Sequence, residues 1–254
     1  MPLKLTRYGW IRDLPDQRDH LYAAPRDLLL NLPASADLRK QCPPVYDQGA
    51  INSCTANAIA AALEFDQMRQ KLSPIFVPSR LFIYYNERAI EGTVNQDSGA
   101  QIRDGIKSVA QQGDCPETLW PYVDKDVTIK PPVQCYQQAL KFKVVQYQRL
   151  AQTLNQYKGC LASGSPFIFG FTVYASFESK EVAQTGHVSM PTTTEAVIGG
   201  HAVMAVGYDD SESWFIVRNS WGTSWGMQGY FTMPYAYLLE PHLSSDFWTI
   251  RVVS

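Results

Sequence analysis

Cys54 lies in Gln48-Gly49-Ala50-Ile51-Asn52-Ser53-Cys54-Thr55-Ala56-Asn57-Ala58, where a polar turn containing glycine meets an alanine-rich apolar run. The pattern predicts a helix that starts near the cysteine, with Ser53 or Asn52 as its N-cap. Unpaired N–H groups and the positive end of the helix dipole converge there, so the thiolate is favoured and the cysteine pKa is expected to fall. A cysteine also packs as a small hydrophobe, and this stretch alone leaves both readings open.

A nucleophilic thiol needs a base within hydrogen-bond reach and a third group to orient that base. The chain has four histidines. His20 and His242 sit in segments without a clear element, and His187 reads as solvated in the polar loop Gln184-Thr185-Gly186-His187-Val188-Ser189. His201 follows Gly199-Gly200 and is expected to open an apolar strand running to Tyr208. The polar connection Asp209-Asp210-Ser211-Glu212-Ser213 suits a hairpin into Trp214-Phe215-Ile216-Val217-Arg218. Centred on Ser211, that hairpin sets His201 opposite Trp221 and Asn219 opposite Val203, all on one face of the sheet. Asn219 then becomes the diagonal neighbour of His201, roughly 7 to 8 Å away between backbones. Asn219 is placed to hold one imidazole nitrogen, Trp221 to shield that bond, and the other nitrogen is left for Cys54. A one-residue bulge would upset this register.

The elements needed to hold these groups follow from periodicity. Ala56, Ile59, Ala60, Leu63 and Met68 recur at near-helical spacing with alanines on the other faces, which predicts a largely buried helix. Further helices are predicted after Pro78-Ser79 to about Gly92, through Ile102, Ile106, Val109 and Ala110 to Gly113, and over about 150 to 162. The prolines at 116, 121, 131 and 132 mark Asp114 to Val145 as the linker. Beyond it, β-branched and aromatic runs at Phe167–Val173, His201–Tyr208, Trp214–Arg218, Gly229–Met233 and Phe247–Val253 predict a mainly antiparallel sheet. Residues 1 to 32 show no period, but aromatic clusters around Trp10 and Leu21-Tyr22 predict a segment that lies against the rest of the chain.

Composition narrows the function classes. The 254 residues are 45% hydrophobic and 18% charged, enough for a substantial core. A net charge of −2 with scattered Lys and Arg gives no footprint for nucleic acid or an anionic membrane surface. No transmembrane run or secretory signal is visible, so localisation stays open between the cytoplasm and a non-standard export route. Cysteines at 42, 54, 115, 135 and 160 lack metal-ligand spacing, and neither metal nor cofactor is expected. With Cys54 free, the other four allow two disulfides in three connectivities or none.

Taken together, Asp47-Gln48-Gly49 with Ser53-Cys54, then His201-Ala202-Val203-Met204-Ala205-Val206-Gly207-Tyr208, then Arg218-Asn219-Ser220-Trp221-Gly222-Thr223-Ser224-Trp225-Gly226-Met227-Gln228-Gly229-Tyr230, resemble the papain-like cysteine peptidases over most of residues 33 to 254. The resemblance implies an α+β, two-domain fold: a mainly helical domain over 33 to 140 with Cys54, a mainly β domain over 141 to 254 with His201 and Asn219, and a cleft between them. It implies that the Gln48 side-chain amide and the Cys54 N–H form an oxyanion hole, and that Gly99, with Ser98 beside it, and Trp221 belong to the substrate-binding surface. Departures are Thr55 in place of the family's Trp, Ile51 in place of a Cys, and Asp97 near the position of that cysteine's partner. The activity implied is hydrolysis of peptide bonds, as an endopeptidase acting through a thioester acyl-enzyme. Alternatives are an idle peptide-binding relative, or an acyl transferase or an isopeptide or thioester hydrolase using the same dyad. The expected partner is a peptide or protein substrate and the expected state a monomer, with residues 1 to 32 as a possible intramolecular inhibitor over the cleft.

Overall fold

The structure, a computed structural model, describes residues 8 to 253; residues 1 to 7 of the N-terminal segment lie outside the described residues. The elements run β1 (Trp10–Ile11), α1 (Arg26–Leu30), β2 (Ser35–Asp37), α2 (Cys54–Arg69), α3 (Arg80–Glu91), β3 (Ala100–Gln101), α4 (Ile102–Gln112), α5 (Val133–Ala139) and β4 (Val144–Arg149). They continue with α6 (Leu154–Ala162), β5 (Phe167–Tyr174), α7 (Lys180–Thr185), β6 (Val197–Asp209), β7 (Trp214–Arg218), β8 (Tyr230–Pro234), α8 (Tyr235–Leu239) and β9 (Ser244–Val253).

Helix α2 begins at Cys54 and is buried on every face through Gln67, as expected of a helix rich in alanine and without an amphipathic stripe. It packs against α3 and α4 on one side and against β6 and β9 on the other. Helix α3 is capped by the Ser79 hydroxyl, which accepts the Phe82 N–H, and closes on Gly92 in the left-handed region. Helix α4 ends before Gly113, as its sequence predicts. The large sheet has strand order β4-β9-β5-β6-β7-β8, with β2 added to β6. Phe167, Phe169, Phe171, Phe215, Phe247 and Trp248 fill its core, all nearly or wholly buried.

The hairpin register differs from the expectation in an instructive way. Near the turn Asp209 pairs with Trp214 and Gly207 with Ile216, one residue off the pairing centred on Ser211. An irregularity between Ala205 and Gly207 absorbs one residue, and from there Ala205 faces Val217 and Met204 faces Arg218, the register that was expected. The bulge therefore restores the pairing at the site end. Strand β6 also begins four residues before His201 instead of at it, so the histidine is mid-strand, paired with Phe171 of β5. The stretch predicted as a linker, 114 to 145, instead carries α5, which starts just after Pro131-Pro132 where proline is tolerated.

Residues 8 to 22 form a strap across the molecule. Strand β1 pairs in parallel with β3, and the Leu14, Asp19 and Tyr22 region is tied to Arg103 and Arg149. Arg103 holds Asp19 through two donors, at 3.0 and 2.6 Å, with both side chains nearly buried. The predicted contact of the N-terminal aromatic clusters with the rest of the chain is thus present for the described part.

Candidate active site

Two loops meet at the start of α2. The Gln48 N–H donates to Ser220 O at 2.8 Å, Gly222 N–H donates to Tyr46 O at 2.9 Å, and Asp47 bridges Trp221. The loop before the cysteine is therefore sewn to the segment after β7. Gln48 is fully buried; its amide nitrogen donates to Ile51 O at 3.0 Å and its Oε1 accepts from the Ser220 hydroxyl at 2.7 Å. Ser53 occupies the N-cap position but its side chain does not cap the helix. Its hydroxyl instead meets Tyr122 Oη at 2.5 Å and Asn57 Nδ2 at 3.0 Å, which leaves the N–H groups of the first turn facing the cleft.

Cys54 Sγ accepts the Ala202 N–H at 3.4 Å, so the thiol lies against the residue that follows His201. His201 Nε2 is 2.8 Å from Asn219 Oδ1, and the Ser220 N–H donates to the same oxygen at 2.8 Å, fixing the amide's orientation. The other imidazole nitrogen, Nδ1, is buried without a hydrogen-bond partner among the described residues. Trp221 stacks on the imidazole at 5.0 Å and 29°, with Phe171 at its edge at 5.8 Å. The structure thus brings together Cys54, His201, Asn219, Trp221 and Gln48.

Asp97 ties the start of α2 to a neighbouring turn. It accepts the Asn52 N–H at 2.9 Å and the Tyr84 hydroxyl at 2.6 Å, joining the loop before the helix to the turn that carries Gly99. All five cysteines are free thiols. The Ser98 hydroxyl lies 3.0 Å from Thr93 Oγ1 and 2.9 Å from Gly99 O.

The strap occupies that cleft. The Ala100 N–H donates to Gly9 O at 2.8 Å, a side chain on Gly99 would collide with Gly9 O, and a backbone N–H from Gly9 reaches Cys54 Sγ. A Cβ at Gly9 would stand 1.7 Å from Asn52 O, so only glycine passes so close to the helix start. The Tyr8 ring sits edge-on to His201 at 6.0 Å, and its hydroxyl donates to Glu178. Tyr8, Glu178 and the backbone of Ala202 carried no sequence signal for the site; only the aromatic cluster at Trp10 hinted that the segment docks.

Burial under the strap reverses the expected ionisation. The Cys54 thiol is pushed up to about 12 by loss of solvent, which outweighs the N–H groups of Ala202, Gly9 and Thr55. His201 is pushed down to about 4 by the same burial, only partly opposed by its bond to Asn219. With the strap docked, the pair is a neutral thiol and a neutral imidazole across the range between those values. The helix-terminus argument for a low thiol pKa assumed solvent access that the strap removes.

The family model described as "Papain family cysteine protease" matches residues 32 to 239. This chain belongs to the papain family of cysteine proteases, which are hydrolases, and its fold is the papain-like α+β fold. It is 47% identical to xylellain, a cysteine protease from Xylella fastidiosa, with a TM-score of 0.92 over 99% of this chain and 98% of that one. It is 43% identical to a peptidase C1-like protein of Acanthamoeba polyphaga mimivirus, over 97% of this chain and 87% of the viral protein. A procathepsin B from Trypanosoma congolense shares the fold at 21% identity, with a TM-score of 0.72 over 89% of this chain and 79% of that one.

Proposed function

We propose that the chain is a thiol endopeptidase, with Cys54 as nucleophile, His201 as general base and acid, Asn219 as the group that orients the imidazole, and Gln48 with the Cys54 N–H as the oxyanion hole. The observation that carries this reading is the 2.8 Å His201 Nε2 to Asn219 Oδ1 bond, made on the strand whose next N–H touches Cys54 Sγ. Asn219 fixes the tautomer that leaves Nδ1 facing the thiol side, and the aromatic rings keep water off that bond. Once the site is hydrated and substrate enters, the Cys54 proton passes to His201. The sulfur attacks the peptide carbonyl, and the oxyanion takes hydrogen bonds from Gln48 and the helix N-terminus. His201 then protonates the leaving amine, and water activated by the same ring releases the acyl group. The division into a helical and a β domain about residue 140, with substrate lying against Gly99 and Trp221, belongs to this proposal. Asn219→Ala is expected to lower kcat by roughly ten- to hundredfold with little change in KM, because it frees the ring without touching substrate. Steady-state kinetics on a quenched peptide checks this, and an unchanged kcat would remove Asn219 from the mechanism.

The same reading makes residues 8 to 22 an intramolecular inhibitor. It is supported by the course of Tyr8 and Gly9 over the dyad and by the neutral state of that dyad beneath them. Docking carries its own pH dependence. Asp13 is buried in the strap seat, its Oδ1 accepting the Arg103 N–H at 3.1 Å and its Oδ2 the Trp248 indole N–H at 2.8 Å. Burial, and then the Asp246 carboxylate beside it, raise its pKa from 3.8 to about 7. The docked state therefore binds this proton more tightly than the released state, so its contribution to docking is fully present below 3.8 and is lost as pH rises through about 7. Hydrogen exchange of residues 8 to 14 is expected to speed up across that interval, and Asp13→Asn to flatten the dependence. Equal slopes in the two proteins would rule Asp13 out.

A further inference from the structure

Two of the free thiols face each other away from the cleft. Cys115 and Cys135 are wholly buried in a small cluster with Phe82 and Ala139, apart from the main core, and their thiols lie within hydrogen-bonding reach of one another. They come to that place on two unlike supports. Cys115 belongs to an extended segment laid against the start of α3: the Ser79 N–H donates to Cys115 O at 2.8 Å, the Glu117 N–H donates to Val77 O at 2.8 Å, and Pro78 is bridged to Pro116. Cys135 is on α5, a helix of seven residues that buries only Cys135 and Ala139 and leaves Val133 exposed. A helix so short, with so little apolar burial, opens locally at low cost, so the pair can be reached by a reagent in solution.

The two thiols are not equivalent. Burial raises both above the ordinary cysteine range; the Asp114 carboxyl and then Cys135 raise Cys115 further, whereas the hydrogen bond from Cys115 partly offsets burial at Cys135. Cys135 is therefore the sulfur that ionises first. The chain between the two cysteines holds the loop before Cys54. Glu117 pairs with Arg80 at 2.7 Å, and the Arg80 guanidinium, 4.0 Å over the Tyr122 ring, donates to Asp47 O at 3.2 Å. The Tyr122 hydroxyl donates to Gln48 O at 2.9 Å and meets Ser53 Oγ at 2.5 Å. A bond from Cys115 to Cys135 would enclose these anchors in one covalent loop.

We infer that Cys115 and Cys135 are a thiol–disulfide modification site, at which a small-molecule disulfide converts the pair into an intramolecular bond that braces the Tyr122 segment beneath the loop carrying Gln48. The Cys135 thiolate attacks one sulfur of the oxidant, forming a mixed disulfide and expelling a thiolate, which takes up the proton Cys135 lost. The Cys115 sulfur then attacks Cys135 Sγ, and its proton leaves with the second expelled thiolate. Two electrons pass from the cysteine pair to the oxidant, which departs as two thiols. The new loop restricts the unfolded chain and so stabilises the fold. None of this depends on the peptidase reading.

The test uses the full chain with Cys54→Ala, so that the reactive thiol of the cleft plays no part. The folded protein is equilibrated with oxidised glutathione, quenched in acid, alkylated and mapped by peptide mass spectrometry, alongside a sample kept in reduced glutathione. The expected product joins the peptides of Cys115 and Cys135, leaves Cys42 and Cys160 open to alkylation, and reverts with dithiothreitol. Its Tm is expected to rise by about 5 to 10 °C over the reduced form. Hydrogen exchange of residues 118 to 124 is expected to slow about threefold or more. Adding Cys115→Ala is expected to trap one glutathione on Cys135, and adding Cys135→Ala to leave Cys115 unmodified; should either variant fail to fold, the mapping with both cysteines present still decides. Alkylation of all four cysteines after oxidation, or a bond that involves Cys42 or Cys160, overturns the pairing. A Cys115–Cys135 bond that changes neither Tm nor exchange overturns the brace.

Discussion

Cys54→Ala eliminates peptide hydrolysis, by a factor of about 10³ or more, and leaves the fold intact. The loss is large because no other thiol is placed to form the acyl-enzyme: Cys42 sits against Leu38 O, Cys160 against Ser165 O, and Cys115 and Cys135 in a separate small cluster. The structural cost is small, since the change removes one sulfur atom from a helix already rich in alanine. The Ala202 N–H that pointed at Sγ loses only a long, weak acceptor at 3.4 Å. A circular dichroism melt within a few degrees of wild type, with no detectable product from a quenched peptide, is the expected pair of results. Residual cleavage by the pure variant would place the nucleophile elsewhere.

Tyr8→Ala/Trp10→Ala raises hydrolysis by the full-length chain at least tenfold. Each ring is half-buried in the docked strap, Tyr8 against His201 and Trp221 and Trp10 against Gly170 and Gly200. Full burial of such a ring is worth about 3 to 5 kcal/mol, so half-burial of two gives roughly 4 kcal/mol together. That is a shift of nearly 10³ in the docking equilibrium. The measured gain is capped by the fraction of chains already open, hence the lower bound. Arg103 and Arg149 keep their hold on Asp19, so the strap opens at its Tyr8 end while the remainder stays in place. Opening rehydrates Cys54 and His201, relieving the burial that holds the thiol at about 12 and the imidazole at about 4. Iodoacetamide labelling of Cys54 should accelerate alongside hydrolysis. Equal rates of both in the variant and the wild type would show that the strap only packs.

Much of the site was legible because its signals are local. The turn before Cys54, the buried alanine helix and the polar connection after Asp209 each fall within a short window, where spacing and turn chemistry decide the structure. The β6–β7 pairing nearest the site, Met204 with Arg218, has the expected register although its premise did not hold: the pairing near Trp214 is offset by one residue, and the irregularity at Val206 corrects it. No sequence pattern marks that bulge. The helix α5 was hidden by the prolines that flank it, which start the helix instead of forbidding it.

What the sequence could not show is long-range. Trp10 meets Gly170, Gly200 and Asp246, all more than 150 residues away, and no local rule joins them. The ionisation of the dyad failed for the same reason. A helix N-terminus lowers a thiol pKa where water can reach it, and the segment that excludes water lies some 45 residues upstream. Asp97 is an intermediate case: the absence of a cysteine there was visible, while its role as a hydrogen-bonded link to Asn52 and Tyr84 needed coordinates.

The most direct test compares initial rates of peptide hydrolysis by Tyr8→Ala/Trp10→Ala and by the same protein carrying Cys54→Ala as well. A strap-held cysteine peptidase gives hydrolysis at least tenfold above wild type in the first and none in the second. Hydrolysis that survives in the triple variant, or a double variant no more active than wild type, would contradict it.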